Sequence, residues 1–202
     1  MRKILKVLGG LVIVLSLVAC GDEDRPVKSV ETTASEPEQK AVEAKPKPSI
    51  DKVELNSEEV TPILKERIAD VDKVEIKDGH VKVIFRADES HWDETEIASS
   101  TAHQGLTLIE MLFKNSEVKE VEIITPTTMI DSKGNEKVTE VVKVTWDRAT
   151  ADEINYKNFS DMLYVEFPRF YNESSSYYIH PGVFSKIKAK NLAQFETGFQ
   201  KE

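Results

Sequence analysis

The sequence predicts an α+β fold. It reads as an antiparallel sheet of two hairpins in the order β-β-α-β-β, with one long helix packed on it and short C-terminal helices. Three observations predict this. Alternating apolar residues flank an Asp78-Gly79 turn, a second alternating pair flanks the stretch from Asp131 to Asn135, and a helical repeat runs between them from Asp93 to Lys114. Strands repeat every two residues and helices every 3.6, so the patterns are distinct.

The domain is expected over residues 51–202. Thr61 caps its first helix, with Pro62 at the first helical position and Ile63, Leu64 and Ile68 on the apolar side. Val74 and Ile76 lead into Asp78-Gly79, and Val81, Val83 and Phe85 lead away from it. Asp-Gly between alternating hydrophobics is the strongest short-range hairpin signal.

The 93–114 segment is the best helix. Asp93 is its N-cap, Glu96 stands at the capping-box position, and Trp92 and Ile97 have staple spacing. Ile97, Thr101, Gly105, Leu108 and Leu112 share one face. Gly105 in the middle of that face costs about 1 kcal/mol against Ala, which suits a helix that lies close to the sheet.

In the second pair, Val121, Ile123, Thr125, Thr127 and Met129 alternate along the outgoing strand. Pro126 has no N–H for a ladder, so that strand is an edge or carries a bulge there. After the Asp131–Asn135 turn, Val138, Val142, Val144 and Trp146 are expected on one face. Thr150 and Glu153 form a capping box for a helix through Ile154, and Asn158 or Ser160 caps another that stops before Pro168. Pro181 starts a last helical turn or two through Ile187. The tail after Lys190 reads as loosely held.

The N-terminus is organised differently. Arg2, Lys3 and Lys6 precede an uncharged run from Val7 to Ala19, and the run ends in Leu17-Val18-Ala19-Cys20. These are the parts of a secretory signal, and the run is too short for a membrane span of about 20 residues. Leu17 to Cys20 resembles the lipobox of bacterial lipoproteins. The resemblance implies a signal peptide over residues 1–19, cleavage before Cys20 and a diacylglyceryl thioether on Cys20. Two acyl chains anchor stably where one does not. Cys20 is the only cysteine in the chain, so no internal disulfide forms. Residues 20–50 then read as the lipidated cysteine and a disordered tether. Residues 21–50 hold four of the eight prolines and no aromatic residue, a composition that cannot offset its ordering entropy. Such a coil spans roughly 30 Å, or roughly 90 Å fully extended. The expected place is the extracytoplasmic face of a cell membrane, in a Gram-positive rather than a Gram-negative envelope.

Removal of residues 1–20 takes three of the 27 basic residues and none of the 36 acidic ones, leaving a formal charge of −12. A basic face is the footprint of nucleic-acid binding, so no nucleic-acid partner is expected. The chain contains no nucleophile elbow, zinc-protease motif, phosphate loop or dinucleotide turn. No pair among His80, His91, His103 and His180 has the i, i+4 spacing of a zinc site. No cofactor and no metal are expected.

Three clusters carry alternatives. His91-Trp92-Asp93 is either an acid–base cluster or a cap with its staple. Asp131 and Asn135 either ligate calcium, with Lys133 standing where another oxygen ligand would help, or close a turn. Tyr177, Tyr178 and His180, with Tyr171 nearby, are candidate protein-binding residues, since aromatics with a polar tip anchor interfaces; the other reading is a final strand and core rings. Adjacent Tyr177 and Tyr178 point to opposite faces of an extended chain, so one is expected buried and the other at least half-exposed, with His180 on the side of Tyr178.

Val141–Trp146 with Asp147–Asp152, and Tyr178-Ile179-His180-Pro181, make the domain similar to small uncharacterised lipoproteins of Gram-positive bacteria, some on mobile elements. That resemblance brings no active residues. The expected function is binding of another envelope or secreted protein, in mobile-element exclusion or envelope assembly, rather than catalysis. The alternatives are a cell-wall-acting envelope enzyme, which needs two facing carboxyl groups, and a small-ligand carrier, which needs an apolar cavity.

Overall fold

The structure is a computed structural model that describes residues 49–87 and 93–202. The expected signal peptide, Cys20, the expected tether as far as residue 48, His91 and Trp92 lie outside those residues.

The fold begins one residue earlier than the sequence suggests. Ile50 opens a 3-10 turn (Ile50–Lys52), is only 3% exposed, and its carbonyl accepts a hydrogen bond from Asn115 Nδ2 at 3.1 Å. It belongs to the core and not to the tether. Helix α1 (Ser57–Arg67) also starts early. Asn56 caps it by accepting from the Glu59 N–H, which leaves Pro62 inside the helix rather than at its start. An interior proline costs about 3 kcal/mol or more, and here Val60 and Leu64, both fully buried, offset it.

Strands β1 (Val71–Lys77) and β2 (His80–Phe85) form the expected hairpin. Asp78 and Gly79 have φ of 53° and 86°. Positive φ at both central residues is the type I′ turn that matches strand twist. Helix α2 (Glu94–Leu112) follows, and all five residues of its predicted face are buried. A Cβ at Gly105 would lie 2.6 Å from the Phe170 ring and 3.1 Å from Ile123 Cδ1, so the glycine admits both the sheet and a later aromatic.

Strands β3 (Glu120–Ile130) and β4 (Glu136–Asp147) form the second hairpin. The two hairpins are joined through a parallel pair, Val81 beside Val121 to Ile84 beside Ile124. A helical crossover returns the chain to the end it left, which makes its flanking strands parallel. Pairing shifts after Thr125, where Pro126 faces Glu140 and Val141 is the extra residue. This is the bulge expected at the missing N–H, with a consequence for the face of β4. One inserted residue reverses the alternation. Val142, Val144 and Trp146 are fully buried, but Val138 is 57% exposed on the opposite face.

The C-terminal third is more structured than expected. Helix α3 (Arg148–Asp152) is capped by Asp147, which accepts from the Thr150 N–H at 2.8 Å, so the cap is three residues before Thr150. Asn155 caps α4 (Tyr156–Leu163), not Asn158 or Ser160. Then come α5 (Arg169–Glu173), β5 (Ser176–Ile179), α6 (Pro181–Phe184) and α7 (Ala189–Leu192), and β6 (Gln200–Lys201). The tail is held. Phe195 is 8% exposed, and Lys201 Nζ donates to the carbonyls of Asn172 and Ser174 at 2.6 Å. The sheet order is β1-β2-β3-β4-β5-β6, antiparallel except between β2 and β3.

One core joins α1, α2 and the C-terminal helices to one face of this sheet. Arg148 locks the exit of α2. Its guanidinium donates to the carbonyls of Val118, Phe113 and Asn115 at 2.7, 3.2 and 2.6 Å, satisfying groups that a helix end leaves open.

Candidate functional site

The predicted aromatic run is split by β5. Tyr177 faces the core at 3% exposure, where its hydroxyl donates to the Gly198 carbonyl at 2.8 Å. Burial pushes its phenol pKa up. Tyr171 is fully buried, packs on Tyr177 with ring centroids 5.4 Å apart, and donates to the Ala98 carbonyl at 2.7 Å. Tyr171 and Tyr177 are therefore core residues with no ring surface to offer a partner, which corrects their candidacy. The cause is the period of a strand and the fact that α5 turns Tyr171 under α2.

Tyr178 and His180 are both partly exposed. Tyr178 points to the uncovered face of the sheet, beside Lys143 on β4 and Gln200 on β6, and is half-exposed. Its ring centroid is 6.3 Å from that of Phe199, itself 38% exposed, and Phe199 continues to Phe184 at 6.3 Å. His180 is half-exposed and has a local task. Its Nδ1 accepts from the Gly182 N–H at 3.1 Å and caps α6, while its own N–H donates to Val141 at 2.7 Å. An acceptor role at Nδ1 requires that nitrogen to be unprotonated.

Sequence reasoning missed Phe199, Ile130 (67% exposed) and Val138. Phe199 was hidden in a tail that reads as loose, and Val138 in the uninterrupted alternation of β4. Val138, Glu140, Lys143 and Tyr178 border one shallow groove on the uncovered face.

Asp93 and Asp131 each have a structural role, while His91 and Trp92 lie outside the described residues. Asp93 Oδ1 accepts from the Glu96 N–H at 2.9 Å and Oδ2 pairs with Lys188 at 2.9 Å. The Lys188 bond, then the Glu96 N–H, lowers its pKa. Asp131 Oδ1 accepts from the N–H groups of Lys133 and Asn135, and Oδ2 from the Asn135 amide. It closes its turn with the oxygens a cation would need. Among the described residues no group of three or more His, Cys, Asp or Glu is placed to hold a metal ion. A polar groove runs along α2 past Glu96, Ser99, His103 and Gln104. Burial lowers the pKa of His103, which stacks on the exposed Tyr164 at 5.0 Å. Under the sheet, Trp146, Phe170 and Tyr171 are fully buried and fill the space between it and α2.

Among the described residues no helix is long and apolar enough to cross a membrane. No protein-family model matches the chain, and no curated protein or solved structure matches it.

Proposed function

We propose that the chain is an extracytoplasmic lipoprotein, held at the cell membrane by lipid on Cys20, whose small acidic domain binds another envelope or secreted protein. The contact is made through the edge formed by Tyr178, His180 and Phe199. The carrying observation is that Tyr178 and Phe199 stand side by side, partly out of the core, at the end of the sheet. Large rings with a polar tip supply much contact area for little conformational entropy and are the commonest anchors of protein interfaces. The signal-like N-terminus and the proline-rich segment after it support a domain displayed away from the membrane surface. Mobile-element exclusion and envelope assembly are the two settings this reading fits.

The test is affinity capture from membranes with the lipidated full chain, set beside the Tyr178→Ala, Phe199→Ala double variant. A protein retained by the first and lost from the second, with the melting temperature of the variant little changed, is the expected result. Identical captured sets for the two chains would refute the proposed edge. Cys20→Ala in the full chain abolishes lipid incorporation if the anchor is right. Salt-resistant membrane fractionation of that variant, with no lipid on the unsubstituted protein, would refute the anchor.

A further inference from the structure

Strand β4 outruns its outer neighbour. β5 pairs with it only from Val142 to Thr145, and the last bond between them runs from the His180 N–H to the Val141 carbonyl at 2.7 Å. His180 then turns the chain into α6. From Glu136 to Glu140, β4 is paired with β3 on one side and with no other strand among the described residues on the other. Register fixes which groups are left open. The Asp131 N–H donates to the Asn135 carbonyl at 3.0 Å, so the bonded pairs that follow along the hairpin are Met129 with Lys137 and Thr127 with Thr139. The residues between them turn their N–H and C=O the other way, and these are Glu136, Val138 and Glu140. They make a row of unpaired donors and acceptors about 17 Å long, in line with β5.

The side chains around the row restrict what fills it. A groove bordered by Val138, Thr139, Glu140, Lys143 and Tyr178 lies beside it. Val138 is 57% exposed, with Tyr178 toward one end and Ile130 toward the other. Glu140 is held by Lys143 at 2.6 Å, whereas Glu136 is exposed with its charge open to a cation. The other edge of the sheet differs. β1 shows Lys73, Glu75 and Lys77 at its exposed positions and carries a bulge between Val71 and Lys73, the devices that blunt an edge. A second copy does not suit the row either. Two-fold pairing clear of β5 sets Glu136 opposite Glu136, Lys137 opposite Lys137, or Glu136 opposite Glu140, and like charges directly opposite are destabilising. A segment of different sequence escapes all three clashes.

We infer that β4 takes an extended segment of the partner protein as an added strand along Glu136 to Glu140, with an apolar residue against Val138 and, two positions away, a basic residue against Glu136. This added strand rests on the proposed partner edge and gives the form in which that edge holds its partner. Main-chain bonds supply affinity, and the pockets for alternate side chains supply specificity.

The probe is a library of random short peptides, selected against the lipidated full chain in detergent. Selected peptides are expected to carry an apolar and a basic residue two positions apart. Their binding is expected to slow amide exchange at Val138 and Glu140 at least tenfold, while Lys137 and Thr139, already bonded to β3, change little. Val138→Pro removes an N–H that faces the slot and none that faces β3, so it is expected to weaken the same peptides at least tenfold more than Val138→Ala does. Should the proline lower the melting temperature, the exchange measurement decides alone. The inference fails if no peptide is selected, if bound peptides leave exchange at Val138 and Glu140 unchanged, if those amides are already slow in the free chain, or if proline and alanine act alike in equally stable chains. Any of these, with captured protein still lost from the Tyr178→Ala, Phe199→Ala variant, removes the added strand and leaves the aromatic edge standing. The converse pair of results refutes the aromatic edge alone.

Discussion

Asp93 shows how a residue suspected of chemistry is accounted for by backbone need. Its carboxylate satisfies an N–H at the start of α2 and holds Lys188 of the C-terminal segment. Asp93→Ala is expected to cost roughly 0.5–2 kcal/mol, the usual range for a lost cap, with Asp93→Ser recovering most of it; chemical denaturation measures both. Loss of partner binding at unchanged stability would contradict the capping role. The tyrosines separate in the same experiment. Tyr177→Ala empties a site in the core and leaves the Gly198 carbonyl without its donor, so a loss of about 3–5 kcal/mol is expected. Tyr178→Ala removes a half-exposed ring and should shift the melting temperature by no more than a degree or two. Similar losses for the two would overturn their assignment to opposite faces. That one of these adjacent rings is buried follows from the strand period alone. Which one is buried depends on the register of β5 against β4.

At the scale of elements, residues with strong local chemistry were legible and boundaries set by distant contacts were not. Asp78-Gly79, the Asp93 cap and the Asp131 turn each satisfy their own backbone, and each is found where the sequence places it. Helix α1 starts at Asn56 rather than Thr61 because the core claims Val60, which local pattern around Pro62 does not register. Helix α3 starts at Asp147 because that carboxylate is also held by the Ser175 hydroxyl at 2.7 Å, a contact 28 residues away. The N-terminal boundary gives a direct test. A chain beginning at residue 49 is expected to melt with one beginning at Cys20, whereas one beginning at residue 51 lacks Ile50 and should melt several degrees lower, since burying an Ile contributes about 1.5–3 kcal/mol. Equal melting of the two would show that Ile50 adds nothing to the core.

For the whole molecule, the titrating groups set a stability window. Asp93 is held low by the Lys188 bond, Asp147 by the Thr150 N–H and Asp131 by the Asn135 side chain. The unfolded chain therefore binds protons first as pH falls, and stability is lost below about pH 4, where free carboxyls protonate. His103 acts earlier. Burial disfavours its charged form, so the unfolded state takes up its proton first and stability begins to fall below about pH 6.5. On the alkaline side, burial pushes the Tyr156 phenol up to about 12. The unfolded chain loses that proton first, and stability declines above about pH 10. Melting temperatures across pH should form a plateau between these limits, and His103→Gln should flatten the first acid-side slope; a slope unchanged by that substitution would assign it elsewhere. The sequence by itself determined the α+β class, the two hairpins, the long helix and the burial of its face, because periodicity and cap chemistry act within a few residues. Only the tertiary structure decided the parallel junction, the strands β5 and β6, the burial of Tyr171 and Tyr177, and the turning of Val138 out to water. Each of those depends on which distant backbone groups find one another, and on one proline whose missing N–H shifts a whole strand end by a residue.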